Sequence, residues 1–88
     1  MRYGAEFGVR VSGDSMEPTF HSGDRVFVAK DDALEEGDIG IFIVNGDAYI
    51  KELGNKCLIS HNEAYKPIPL RSTDSIYCCG RVLGVVGE

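Results

Sequence analysis

Ile39-Gly40-Ile41-Phe42-Ile43-Val44-Asn45-Gly46-Asp47-Ala48-Tyr49-Ile50-Lys51-Glu52-Leu53 reads as a β-hairpin. Two apolar runs flank Asn45-Gly46, and both central positions of a type I′ turn need positive φ, which glycine adopts freely and asparagine tolerates. Residues 39–44 are therefore expected to pair antiparallel with residues 48–53.

The same punctuation recurs outward from the hairpin. Gly-Asp stands at Gly23-Asp24, Gly37-Asp38 and Gly46-Asp47, and each pair precedes a β-rich run, at 25–30, 39–44 and 48–53. Phe7, Val9 and Val11 alternate with Gly8, Arg10 and Ser12, the pattern of a half-buried strand. Residues 76–86 are rich in Ile, Val, Leu and Tyr with Gly80 and Gly84 among them, consistent with two strands or one long bent one. Residues 31–36 are acidic and read as a connecting loop. Residues 62–71 carry Pro67 and Pro69 and read as an extended, irregular crossing. There is no helical periodicity of useful length and no internal repeat. The expected fold is mainly β, a small barrel-like or sandwich-like system of short antiparallel strands.

Composition limits what this fold can do. A chain of 88 residues makes one domain with one modest core, so residues 1–88 are read as a single unit. Hydrophobic residues at 43% and charged residues at 26% are ordinary for a soluble domain, and no apolar run approaches the roughly 20 residues of a membrane span. No signal peptide is visible in residues 1–11. A net charge of −5 with scattered Lys and Arg argues against direct contact with a phosphate backbone. Cys57, Cys78 and Cys79 form an odd set whose adjacent pair suits a disulfide poorly, pointing to reduced, buried thiols and a cytoplasmic location.

The candidate chemistry lies upstream of the hairpin, in Ser12-Gly13-Asp14-Ser15-Met16-Glu17-Pro18-Thr19. Ser15 follows the first strand on a tight turn. Asp14 and Glu17 have the spacing of a capping box, so a short helical turn is expected here, with the free amides of its first turn close to Ser15. A serine hydroxyl needs a base to take its proton, and His21, His61 and Lys51 are all candidates. A lysine qualifies only if burial away from carboxylates lowers its pKa. Strand alternation puts Lys51 on one face with Tyr49 and Leu53, and Glu52 on the other with Ile50.

These residues carry a resemblance. Val11-Ser12-Gly13-Asp14-Ser15-Met16-Glu17-Pro18-Thr19-Phe20, Gly23-Asp24, Gly37-Asp38 and Ala48-Tyr49-Ile50-Lys51 follow one another in order. So do Leu58-Ile59-Ser60, Asn62 with Tyr65-Lys66-Pro67-Ile68, and Gly80-Arg81-Val82-Leu83-Gly84. Together they resemble the self-cleaving peptidase domain of LexA-type and phage repressors, over nearly the whole chain. The resemblance implies Ser15 as nucleophile, Lys51 as general base, and the backbone N–H groups of Asp14 and Ser15 as oxyanion donors. Met16, Pro18 and Tyr49 become candidates for the substrate groove. It also implies a homodimer, a RecA filament as stimulator, and DNA binding only through a separate N-terminal domain. No cofactor, metal or membrane partner is implied.

The family cuts a bond between a small residue and glycine, upstream of the nucleophile. Only 14 residues precede Ser15; of their X-Gly pairs, Tyr3-Gly4 and Phe7-Gly8 are not of that type, and Ser12-Gly13 lies within the serine turn itself. Cys79-Gly80 has the dipeptide but falls in the expected last strand. The DNA-binding domain and cleavage linker are thus expected to lie outside these residues. Bacterial signal peptidases share a serine–lysine pair and a related core, and form the alternative, with a non-catalytic dimerisation module as a third. Zinc is disfavoured, since Cys57, His61, Cys78 and Cys79 lack the spacing of a structural site.

Overall fold

A computed structural model describes residues 7–86; the Tyr3-Gly4 pair lies outside them. Seven strands follow in chain order: β1 (Phe7–Arg10), β2 (Arg25–Ala29), β3 (Ile39–Val44), β4 (Asp47–Gly54), β5 (Cys57–Ile59), β6 (Ile68–Pro69) and β7 (Ile76–Val85). They make one antiparallel sheet in the order β1-β2-β7-β3-β4-β5-β6. The fold is mainly β, and among the described residues there is no helix.

The β3–β4 hairpin is the centre of this sheet. Its turn has φ of 50° at Asn45 and 89° at Gly46, and its register pairs Val44 with Asp47, Ile41 with Ile50 and Gly40 with Lys51. Because the pleat alternates, the two faces of β3 serve different cores. Ile39 and Ile41 pack against Val11, Met16, Phe20, Val26 and Val28, whereas Phe42 and Val44 pack with Leu58, Tyr49 and Leu53. Residues 76–85 form one long strand rather than two. It bends through register shifts against both neighbours, where Phe42 pairs with Cys78 but Ile41 with Gly80, and Val28 pairs with Val82 but Phe27 with Gly84.

The sheet is curled. β1 and β4 stand four strand spacings apart, about 19 Å in a flat sheet, yet Val9 of β1 and Ile50 of β4 share one core. It curls without closing, since β1 and β6 remain its two ends. Two short strands complete the sheet, and the second falls where an irregular crossing is read from the sequence. β5 returns from β4 through Asn55-Lys56, with φ of 56° at Lys56, and β6 is two residues within the proline-containing crossing.

The curl depends on close backbone approach at Gly80. A Cβ there would stand 2.6 Å from the carbonyl oxygen of Ala29, a main-chain atom that cannot swing aside. Gly80→Ala is accordingly expected to lower unfolding stability by about 1–3 kcal/mol, measured as a shift of the urea midpoint.

Candidate active site

The chain between β1 and β2 is a non-helical loop pinned by its apolar residues. Val11, Met16 and Phe20 are buried at 3%, 1% and 5% exposure, while Ser12, Gly13 and Asp14 stay at the surface. Gly13 sits at φ +85°, where a side chain would be strained even though the space is open. The expected helical turn does not form. The amide of Glu17 bonds the Asp14 carbonyl at 3.2 Å and that of Phe20 bonds the Met16 carbonyl at 3.0 Å, which are isolated turns. Pro18 accounts for this, because in a helix capped by Asp14 it would occupy the first position required to donate an intrahelical bond, and it has no N–H.

Lys51 lies on β4, on the face it shares with Tyr49 and Leu53, and its exposure is 6%. Its Nζ donates to Ser15 Oγ at 2.6 Å. The rings of Tyr49 and Tyr65 stand 5.9 and 6.0 Å from the same nitrogen. Among the described residues no carboxylate forms an ion pair with Lys51. Glu52 points to the opposite face, where it meets His61 Nε2 at 2.8 Å. Burial without a counter-ion lowers the Lys51 pKa from the ordinary lysine value.

The amides of Asp14 and Ser15 have no acceptor among the described residues, and both residues line a groove of about 340 Å³ with Tyr49, Lys51 and Tyr65. A second hollow of about 240 Å³, bounded by Val9, Ile41 and Ala48, shares Ser15, Tyr49 and Lys51 with the first. The serine–lysine contact therefore sits at a junction, with room for a chain on either side. Tyr49 lies in that groove, whereas Met16 does not. Its side chain is core, packed with Phe20, Val26 and Val28, because it anchors the loop from beneath. Pro18 is exposed and borders neither hollow.

Neither histidine is hydrogen-bonded to Ser15. His21 Nδ1 lies 3.3 Å from Glu17, and His61 bridges Thr19 Oγ1, through Nδ1, to Glu52. The three cysteines are free and half-buried, and the described residues contain no group of three His, Cys, Asp or Glu that could hold a metal ion. No helix among them is long and apolar enough to cross a membrane.

The segment after β5 contributes contacts that sequence reading does not assign. The Tyr65 hydroxyl donates to the Asp14 carboxylate, and that bond, with the nearby negative charge, raises the Tyr65 pKa. Asn62 bonds the main chain of the serine loop through its own amide and its side chain, at 2.9 and 3.0 Å. Such residues follow no strand or helix period, and the only signal for them is the order Asn62, Tyr65-Lys66-Pro67-Ile68 within the resemblance.

The sequence matches the family described as Peptidase S24-like over residues 2–83. It is 38% identical to proteins named LexA repressor from Streptomyces coelicolor and Streptomyces avermitilis, over 94% of this chain and 36% of each of theirs. A LexA repressor from Mycobacterium leprae is likewise 38% identical, over 75% of this chain and 30% of its own. The chain thus spans about a third of the length of the curated relatives it matches.

Burial of Lys51 has a thermodynamic signature. The folded protein holds this proton more weakly than the unfolded chain, whose lysine titrates near 10.5, so stability from this residue rises with pH between the lowered value and 10.5. Lys51→Met removes that contribution. The variant's stability relative to the parent is expected to be greatest near neutral pH and to fall as the pH approaches 10.5, measured by urea unfolding across that range.

Proposed function

The chain belongs to the Peptidase S24-like family, and from that premise we propose that it is the peptidase and regulatory domain of a LexA-like repressor, with Ser15 and Lys51 as its catalytic pair. The observation that carries this reading is the 2.6 Å contact between Ser15 Oγ and a buried lysine that has no carboxylate partner among the described residues.

In this proposal the neutral Lys51 amine takes the Ser15 hydroxyl proton as Oγ attacks a peptide carbonyl carbon. The carbonyl oxygen becomes an oxyanion and accepts from the N–H groups of Asp14 and Ser15, two residues that line the groove and whose amides have no acceptor among the described residues. Lys51 then hands its proton to the leaving amine, and water hydrolyses the resulting ester with Lys51 again as base. The scissile strand passes over Tyr49, with the two hollows receiving the residues on either side of the cut bond. The substrate is a linker of the same polypeptide, cut between a small residue and glycine. The whole regulator binds DNA through a separate domain, dimerises, and is stimulated by a RecA filament; these roles rest on the likeness to LexA repressors.

The test follows cleavage in a protein carrying this domain behind its own linker. Intact mass is recorded from pH 7 to 10, without other proteins. Cleavage is expected to accelerate by about tenfold per pH unit while Lys51 remains mostly protonated, and to level off at its lowered pKa. Ser15→Ala and Lys51→Ala should each abolish it while remaining folded. Cleavage that persists in either variant, or none at any pH, would remove the assignment.

A further inference from the structure

The segment 60–65 touches the serine loop at several points, and Asn62 alone makes two of them, to the adjacent residues Asp14 and Ser15. Its backbone N–H donates to the Ser15 carbonyl at 2.9 Å, and its side-chain Nδ2 donates to the Asp14 carbonyl at 3.0 Å. The Asp14 carbonyl belongs to the peptide plane whose N–H is that of Ser15, and the Ser15 carbonyl belongs to the next plane. Asn62 therefore holds both planes that flank the serine, and planar peptides leave only φ and ψ between them. We propose that Asn62 is a positioning residue for the oxyanion site, clamping the two peptide planes of Ser15 so that its N–H faces the groove and its Oγ faces Lys51.

The orientation of the Asn62 amide is settled by its surroundings. Oδ1 accepts from the Ala64 N–H at 3.0 Å, so the other end, Nδ2, must be the group at the Asp14 carbonyl. That donor has an electronic effect as well as a geometric one. A hydrogen bond to a carbonyl polarises its peptide and strengthens the N–H at the far side, so the bond to Asp14 makes the Ser15 amide a better donor to a developing negative charge. Two neighbours support the clamp from outside. Tyr65 donates to the Asp14 carboxylate, and His61 ties Thr19, four residues after the serine, to Glu52 beside Lys51.

The role rests on the assignment of Ser15 as nucleophile, and the test separates the two. The 88-residue chain is treated with an alkyl fluorophosphonate, whose phosphorus is attacked by Ser15 Oγ as fluoride leaves and the serine proton passes to Lys51. The phosphoryl oxygen occupies the oxyanion site. Saturation kinetics yield the maximal inactivation rate and the half-saturating concentration, and the profile over pH 7–10 yields the midpoint set by the base. Asn62→Ala is expected to lower the maximal rate about 10- to 100-fold, leaving half-saturation and the pH midpoint in place. It should also shift the Ser15 amide resonance in a ¹H–¹⁵N spectrum.

Should the alanine variant fail to fold, Asn62→Asp serves in its place. It keeps an acceptor for Ala64 and the backbone bond to Ser15 but exchanges the donor to Asp14 for a negative charge, so at least the same fall in maximal rate is expected. For this variant the maximal rate alone is compared, since the added charge itself moves the pH midpoint. A maximal rate within twofold of the parent, or a loss carried by half-saturation or by the pH midpoint, would overturn the positioning role and leave the nucleophile assigned. A parent chain that takes no label at Ser15 would overturn both.

Discussion

A lysine held at 6% exposure, with no counter-ion among the described residues, is the constraint around which this domain is arranged. Such a group is tolerated inside a protein only when it is hydrogen-bonded, paired or neutral. Strand alternation denies it the nearest carboxylate by turning Glu52 to the other face of β4, where His61 occupies it. Among the described residues, Nζ meets Ser15 Oγ and the rings of Tyr49 and Tyr65. The loop between β1 and β2 and the middle of β4 are thus bound to one another by the need of one nitrogen. The curl that brings β1 and β4 into a common core is what allows that need to be met.

The loop that answers Lys51 has no regular structure, yet it is fixed from two sides. From below, Val11, Met16 and Phe20 enter the same apolar cluster as β2, so the surface residues between them have buried neighbours on both flanks. From the side, the segment after β5 reaches its carbonyls and its carboxylate through Asn62 and Tyr65. Packing of the first kind resists displacement, and hydrogen bonding of the second kind sets orientation. A site that must present both a hydroxyl and backbone N–H groups at one place needs both kinds of restraint, since an error of about 1 Å in placement can cost about a hundredfold in rate.

How much of this is legible in the sequence follows the range of the physics involved. The β3–β4 hairpin is legible because its determinants are local: the turn dipeptide, the apolar runs and the alternation all lie within fifteen residues. The face of Lys51 is legible for the same reason. β6 is missed because two residues carry too little pattern, and pairing with a neighbour, not propensity, makes them a strand. The helical turn expected at Ser15 fails on Pro18, whose missing donor outweighs the Asp14 and Glu17 spacing. Met16, a groove candidate by its place beside the serine, is core, because a short loop over a curled sheet needs an apolar anchor. The meeting of Ser15 with Lys51 depends on the curl, a property of the whole sheet, and only the resemblance points to it.

The size of the domain explains why the rest of the site is polar but not buried. A chain of this length encloses a small core and has little stability to set against ions placed inside it. Lys51 is the one buried charged side chain among the described residues, and none of their buried side-chain polar atoms lacks a hydrogen-bond partner. Asp14, Glu52 and His61, which surround the site, are all left partly or fully in water. That division keeps negative charge where solvent screens it, and so leaves the lysine in an environment that favours its neutral form. A carboxylate moved indoors beside Nζ would stabilise the ammonium, and with it the folded protein, while removing the property that makes this lysine different from those at the surface.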